Sequence, residues 1–417
     1  MRQRRSHPNR QLRLGLSSIS VTNVKAGMTE TRNVSAALPA AAILSRVLFD
    51  THERYGLRTE NKEATSPILM LPTELLLEIF VCLYSEYYQE SSQVQEESNQ
   101  NSNVVSPTHK AWFDPQSPSL FPYNVASVCR QWRDILCSPS LPTFWTRVVI
   151  FVGITTPGVI QEILSWSRNL PVELSVVQQV NSFSPAGTTQ SWKLEAEDVK
   201  DVTRSILPHI KRFTTIKYSL FHSSSLAMVR MTLSGTARLL KTLHMEYEND
   251  DGDGGYEVYL WLPNFNGGQP PLTGWKLITH AVEHLSVDNY TFKLACYPKS
   301  DGFHDLMRLR SLTLSWPSPH PRHEQPTISR HGRIRFDGFM LVLQEATMLT
   351  SLTVRNEQFD AMEQEDVFPI EYDLPWLRFV NFDGVSKRFL THFHRSVNVD
   401  TDNLVIVHLS ISDSPVE

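Results

Sequence analysis

A six-residue pattern, large and apolar at positions 1, 4 and 6, recurs nine times between residues 145 and 409. It runs Trp145-Thr-Arg-Val148-Val-Ile150, Pro171-Val-Glu-Leu174-Ser-Val176 and Phe213-Thr-Thr-Ile216-Lys-Tyr218. Leu240-Lys-Thr-Leu243-His-Met245, Val282-Glu-His-Leu285-Ser-Val287 and Leu309-Arg-Ser-Leu312-Thr-Leu314 continue it. Leu349-Thr-Ser-Leu352-Thr-Val354, Leu377-Arg-Phe-Val380-Asn-Phe382 and Leu404-Val-Ile-Val407-His-Leu409 complete it. The steps between first positions are 26, 42, 27, 42, 27, 40, 28 and 27 residues. One apolar hexad arises easily by chance; nine at a near-constant step do not. Positions 4 and 6 alternate as in a strand and share one face.

Helical patterns lie between the hexads, over residues 157–168, 196–209 and 339–348. A single strand–helix unit is too small to bury its apolar face, so such units must stack. The short steps match the length of a leucine-rich repeat, and the long ones add about fifteen residues in a loop. The pattern therefore predicts an irregular leucine-rich-repeat solenoid over 147–417. The competing reading is an unrelated α/β or α+β domain whose strands begin with Leu.

Ahead of the repeats the composition changes. Met1–Thr29 carries Arg2, Arg4, Arg5, Arg10 and Arg13 and no acid, which fits a mitochondrial transit peptide, a nuclear signal or a disordered basic tail. A leader over 1–66 is expected, with one helix at residues 40–55. Residues 67–146 hold two apolar segments separated by a polar stretch, about 85–120, rich in Ser, Gln, Asn and Glu. That stretch has too little apolar area to offset its ordering entropy and reads as a disordered insert.

The first segment, Ser66–Leu83, places Pro72 at a helix start, Glu74 and Glu78 in the first turns, and Leu71, Leu75, Leu76, Ile79, Phe80 and Leu83 in a broad stripe. The second predicts a helix over Val125–Leu136 with Val125, Val128, Cys129, Trp132, Ile135 and Leu136 on one face. A turn ending in Phe144 and Trp145 follows. The unit carries more apolar surface than it can cover itself.

These residues resemble a known family. Leu71-Pro72-x-Glu74-Leu75-x-x-x-Ile79-Phe80, then Val128-Cys129-Arg130-x-Trp132-Arg133, then Leu141–Trp145, look like an F-box. The whole chain is similar to fungal F-box proteins with degenerate leucine-rich repeats behind the box. The resemblance implies an α/β (α+β mixture) chain, an all-helical F-box followed by an irregular leucine-rich-repeat solenoid. It implies a non-catalytic substrate receptor of a ubiquitin ligase, docking a Skp-type adaptor and through it a cullin, while the repeats hold an unknown target protein. A non-degradative scaffold using the same surface is the alternative. The adaptor-facing residues would be Leu71, Pro72, Leu75, Ile79, Phe80, Val128, Cys129 and Trp132, with Trp145 closing the motif onto the first repeat. In the family the two helices are joined by a shorter link than the roughly forty residues here; loop closure makes such an insert inexpensive.

Other chemistries find little purchase. Four cysteines, Cys82, Cys129, Cys137 and Cys296, make no disulfide framework and read as reduced, packed thiols of an intracellular protein, cytoplasmic or nuclear. A net charge of −5 argues against bulk nucleic-acid or anionic-membrane binding. Apolar runs such as Val148–Ile154 fall far short of the ~20 residues that span a bilayer. Asn249-x-Asp251-x-Asp253-Gly254 mimics an EF-hand start, but Leu260 stands where the bidentate Glu belongs. His320, His323 and His331 lack a Cys or carboxylate at ligand spacing, so no metal and no cofactor is expected. Walker, zincin and nucleophile-elbow motifs are absent from the sequence.

Two surfaces are candidates for target binding. Loops after the strands segregate charge: Asp250, Asp251 and Asp253 in an acidic one, Arg330, Arg333 and Arg335 in a basic one. The concave strand face offers Lys217, His244, Ser286 and Thr313.

Overall fold

The computed structural model describes residues 71–85, 121–126, 128–138, 140–178, 191–249, 276–296, 306–316, 334, 336–357, 359, 372–399 and 404–411. All of them belong to the larger of two compact units, Pro39–Glu417. Three helices come first: α1 over residues 73–85, α2 (Tyr123–Ala126) and α3 (Arg130–Leu136), then a 3-10 turn, Pro142–Trp145. Strands and helices then alternate as β1 (Arg147–Val152), α4 (Pro157–Trp166), β2 (Val172–Gln178), α5 (Ser191–Ile206), β3 (Phe213–His222) and α6 (Ser223–Thr232). Next are β4 (Ser234–Ala237), β5 (Thr242–Asn249), β6 (Lys276–Thr279), β7 (His284–Asp288), α7 (Asn289–Cys296), β8 (Ser311–Ser315) and α8 (Phe336–Glu345). The described chain ends with β9 (Ser351–Arg355), β10 (Tyr372–Asp373), β11 (Phe379–Val385), α9 (Lys387–Ser396), β12 (Val397–Asn398) and β13 (Val405–Ile411).

The protein is a mixed α/β chain built on a central parallel sheet. Nine strands stand in the order β1-β2-β3-β5-β7-β8-β9-β11-β13, each beside the next in the chain, all parallel. Two short parallel pairs, β4 with β6 and β10 with β12, lie outside it. Each of the nine hexads lies on one of the nine strands. Their position-4 residues meet neighbour to neighbour as Val148, Leu174, Ile216, Leu243, Leu285, Leu312, Leu352 and Val380, and every one is buried. The position-6 residues from Ile150 to Phe382 are buried as well. A parallel sheet needs cover for its core face, and the helices between strands supply it.

Two hexads differ from expectation. Pro171 is exposed, while Val172 is buried and pairs with Phe213 across a register shift, so Val172 fills the place of position 1. Proline there would leave the ladder one donor short. On β13 a bulge sets Ile406, not Val407, opposite Val380 before His408 regains Asn381. The extra residue re-aims the strand, as bulges do.

The expected helix over 125–136 is broken. Cys129 is extended (φ −159°, ψ 168°), separating α2 from α3. The break allows Tyr123, Val125 and Ala126 to pack in the core in one orientation and Trp132 and Leu136 in another. Helix α4 stops at Trp166 because Arg168 takes a left-handed φ of 51°. The Arg212 guanidinium then satisfies the freed Leu164 carbonyl at 3.3 Å and, beyond the helix, donates to Leu170 O at 3.2 Å.

The helical unit also blunts the sheet edge. On β1 the Val149 N–H donates to Tyr123 Oη at 3.2 Å and the Phe151 N–H to Thr155 Oγ1 at 3.0 Å, which removes donors from a template for stray strands. Burial pushes the Tyr123 phenol well up, so it stays neutral as an acceptor. Farther along, Arg230 of α6 and Asp288 form a buried ion pair at 3.0 Å, and Asp288 Oδ1 also accepts the Thr291 N–H that opens α7. The repeating units are thereby joined through polar as well as apolar contacts.

Candidate functional site

Helix α1 carries two apolar faces. At 100° per residue, Leu76, Phe80 and Leu83 cluster on one side and Leu75, Ile79 and Cys82 on another, about 100° away. The first face is core. Leu76 and Phe80 are fully buried, and Phe80 meets Trp132 edge-on at 5.3 Å. Tyr84 adds contacts to Phe121 at 5.7 Å and Phe144 at 5.3 Å. Trp145 packs on Tyr123 at 5.4 Å and Trp166 at 4.3 Å, and its Nε1–H donates to Leu136 O at 2.9 Å. These rings fix α1 and α3 to the first strand.

The second face meets solvent. Leu75 is 45% exposed, Ile79 and Cys82 are exposed beside it, and Pro72 lies exposed at the helix start. Val128, on the break before α3, is 57% exposed. A cleft of about 560 Å³ opens on a third flank, lined by Thr73, Leu77, Arg130, Asp134, Ile135 and Leu141. Arg130 and Asp134 pair at 3.7 Å on its lip.

The expected adaptor-facing set thus divides. Pro72, Leu75, Ile79 and Val128 face outward; Leu71 and Cys129 are half-buried. Phe80, Trp132 and Trp145 belong to the protein's own core. Trp132 Nε1–H is buried with no hydrogen-bond partner among the described residues. The thiols are less uniform than expected: Cys82 is exposed rather than packed, while Cys129 and Cys137 are half-buried. Burial, aided by the negative charge of Glu162, pushes the Cys137 thiol up to about 12, which denies it a thiolate.

The charged loop residues Asp250, Asp251, Asp253, Arg330, Arg333 and Arg335 lie outside the described residues, as do His320, His323 and His331. The sheet face away from the helices is described. There Ser175, Lys217, His244, Ser286, Thr313, Thr353, Asn381 and His408 form one continuous row, each paired in register with the next. At its β1 end lies an ion network that the sequence analysis did not find. Arg147 pairs with Glu173 at 3.2 Å, His244 with Glu246 at 2.9 Å, and Ser219 donates to Glu246 at 2.9 Å. Burial holds the Lys217 amine below its ordinary range, against the pull of Glu173 and Glu246. The signal was available, since aligned hexads place residues 3 and 5, and the residue after position 6, side by side on one face.

Compared with known families and with curated proteins, the chain matches no family model and no curated sequence. Among the described residues no group of three or more His, Cys, Asp or Glu is placed to hold a metal, and no helix is long and apolar enough to cross a membrane.

Proposed function

We propose that this chain is a substrate-recognition subunit of a Skp/cullin/F-box ubiquitin ligase, with α1–α3 as an F-box and the stacked strand–helix units as an irregular leucine-rich-repeat solenoid. The observation that carries the reading is the double-faced α1. One face is locked into the core by Phe80 and Trp132, and the other leaves Leu75 and Ile79 in water with Val128 and Pro72 also exposed. Apolar side chains this exposed on a rigid helix are what a partner's hydrophobic groove takes up. The sequential, all-parallel sheet supports the solenoid half, since each of its nine strands meets only those of the preceding and following hexads.

In this reading Leu75, Ile79, Pro72 and Val128 touch the Skp-type adaptor. Phe80, Trp132 and Trp145 act behind them, holding the angle between α1 and α3 and joining the box to β1. The row from Ser175 to His408, with the loops at its rim, presents the target protein to the ligase. The chemistry of ubiquitin transfer lies with the assembled complex.

Affinity capture of the full chain with proteolysis blocked tests this. The Skp-type adaptor and a cullin are expected together with a target; capture that never brings down the adaptor would defeat the reading. A non-degradative scaffold predicts the same adaptor but a target whose half-life is unchanged when this chain is depleted.

A further inference from the structure

The two edges of the nine-stranded sheet are finished differently. On β1 the Val149 and Phe151 amides are taken by Tyr123 Oη and Thr155 Oγ1. At the other end stands β13, which among the described residues has a strand neighbour on one side only, β11. Its sequence, Val405-Ile-Val-His-Leu-Ser-Ile411, holds no acid, lysine, arginine or proline, the residues that commonly keep an edge strand from pairing. Its one ionisable side chain, His408, lies 3.9 Å from Asp383 on β11.

The apolar side chains at this end wrap the edge. Ile406 stands beside buried Val380, Leu409 beside buried Phe382 and Ile411 beside buried Val385, so they continue the core rows of the sheet. Yet Ile406 is 58% exposed, and Leu409 and Ile411 are exposed as well. Val405, 50% exposed, pairs with exposed Phe379, which alternates with Val380 and so lies on the opposite face. A helix laid on one face would cover only part of this set; a strand added to the edge meets both faces. The five residues expose on the order of 400 Å² in one chain, most of the apolar share of the roughly 800 Å² that a standard interface takes from each partner.

We propose that β13 is the seam of a homodimer, in which the β13 of a second copy of this chain joins it antiparallel and carries the sheet across a twofold axis. The patch selects a second copy because it is apolar and its strand carries no unopposed charge, so it matches itself, as an isologous contact requires. A twofold axis perpendicular to the sheet also keeps core face beside core face. The helix layer, which meets Phe382 through Phe389 at 5.4 Å and Phe393 at 5.2 Å, is then continued on the other side of Ile406 and Leu409. A lone extended peptide would pair with the edge but bring no such layer. The outer surface of α9 presents Lys387, Arg388 and Arg395, so salt that screens two such helices from each other should tighten the contact rather than loosen it. The inference does not rest on the adaptor reading, because the helical unit packs on β1, at the far end of the sheet.

The test is sedimentation of the full chain across a concentration series, with hydrogen exchange of β13 at both ends of the series. The wild type should pass from monomer to dimer by about 10 µM, and the β13 amides should exchange slowly in the dimer and fast after dilution. Ile406→Lys with Leu409→Lys, on the core face, should raise the dissociation constant at least about hundredfold, and Val405→Lys, on the other face, at least about tenfold. Melting curves taken at a dilution where the wild type is itself monomeric check that the variants fold. Should the core-face pair unsettle the fold, Val405→Lys alone decides. Leu341→Lys, a comparably exposed leucine on α8, should dimerise normally. A wild type still monomeric at about 100 µM overturns the proposal: unprotected β13 amides would then leave the edge to a strand from another protein, and protected ones would mean that another part of the chain covers it. A dimer that survives the folded variants, or assembly that runs on past two copies, would overturn it equally.

Discussion

Arg230→Met removes a cation from the interior and leaves its partner stranded. Both side chains of the Arg230–Asp288 pair are nearly inaccessible, and the guanidinium also donates to Thr291 Oγ1 at 3.1 Å and lies 4.6 Å over the Tyr290 ring. Losing one partner of such a pair costs about 3–5 kcal/mol. Asp288 keeps the Thr291 N–H at 3.1 Å, which places the expected loss near about 3 kcal/mol. With a urea m-value of about 3 kcal/mol/M, the midpoint should fall by about 1 M. Asp288→Asn retains an oxygen for the α7 cap and should cost a similar amount by stranding Arg230. The double variant leaves neither charge alone, so its loss should be smaller than the sum by about 2 kcal/mol. Urea titration of the full chain, followed by circular dichroism and fluorescence, measures all four corners. Single losses below about 0.5 kcal/mol, or strict additivity, would refute the coupling.

Four other outcomes follow from single sites. His209 is held below its ordinary range by burial and by the Arg212 charge 3.4 Å from Nδ1, so its folded pKa is lower than its unfolded one. Its contribution to stability is full above about pH 6.5 and lost as pH falls toward the folded value, so the wild type should lose more melting temperature on acidification than His209→Gln. Gly384→Ala should cost more than about 1 kcal/mol in a denaturation titration, because φ is +65° and a Cβ would lie 2.7 Å from Asn356 Oδ1. Gly158→Ala, with nothing within 4 Å and a helical setting, should be neutral or stabilising. Exposed Cys82 should alkylate before Cys137, as mass spectrometry would show, and an adaptor seated on Leu75 and Ile79 should protect it.

The repeat strands were legible because burial leaves a mark in sequence. Sixteen core places on eight strands, from Val148 to Phe382, must be apolar whatever their neighbours, so the hexads alone locate them. Pro171 and Val407 were misread for a reason that spacing cannot express: register shifts move a residue along the ladder without changing the pattern. The turns Ile210–Phe213, Ala237–Leu240, Leu306–Leu309, Ala346–Leu349 and Leu374–Leu377, which lead into five of the hexads, escaped notice because their first residues share only burial, not residue type. On the N-terminal helical unit, periodicity found the apolar residues of α1 but not their division. Leu75 and Phe80 look equivalent in a broad stripe, and only the aromatic packing of Trp132, Phe121 and Phe144 decides which face is consumed by the core. Ion pairs such as Arg230 with Asp288 join residues far apart in the chain, so no local pattern announces them.

The dissociation constant between the purified full chain and a Skp-type adaptor, measured for the wild type and for Leu75→Glu with Ile79→Glu, bears on the central claim most directly. Both positions are exposed, so the variant should melt like the wild type. The account predicts saturable wild-type binding and a loss of about a hundredfold or more in the variant. A wild type that does not bind, or a variant that binds equally well, would contradict it.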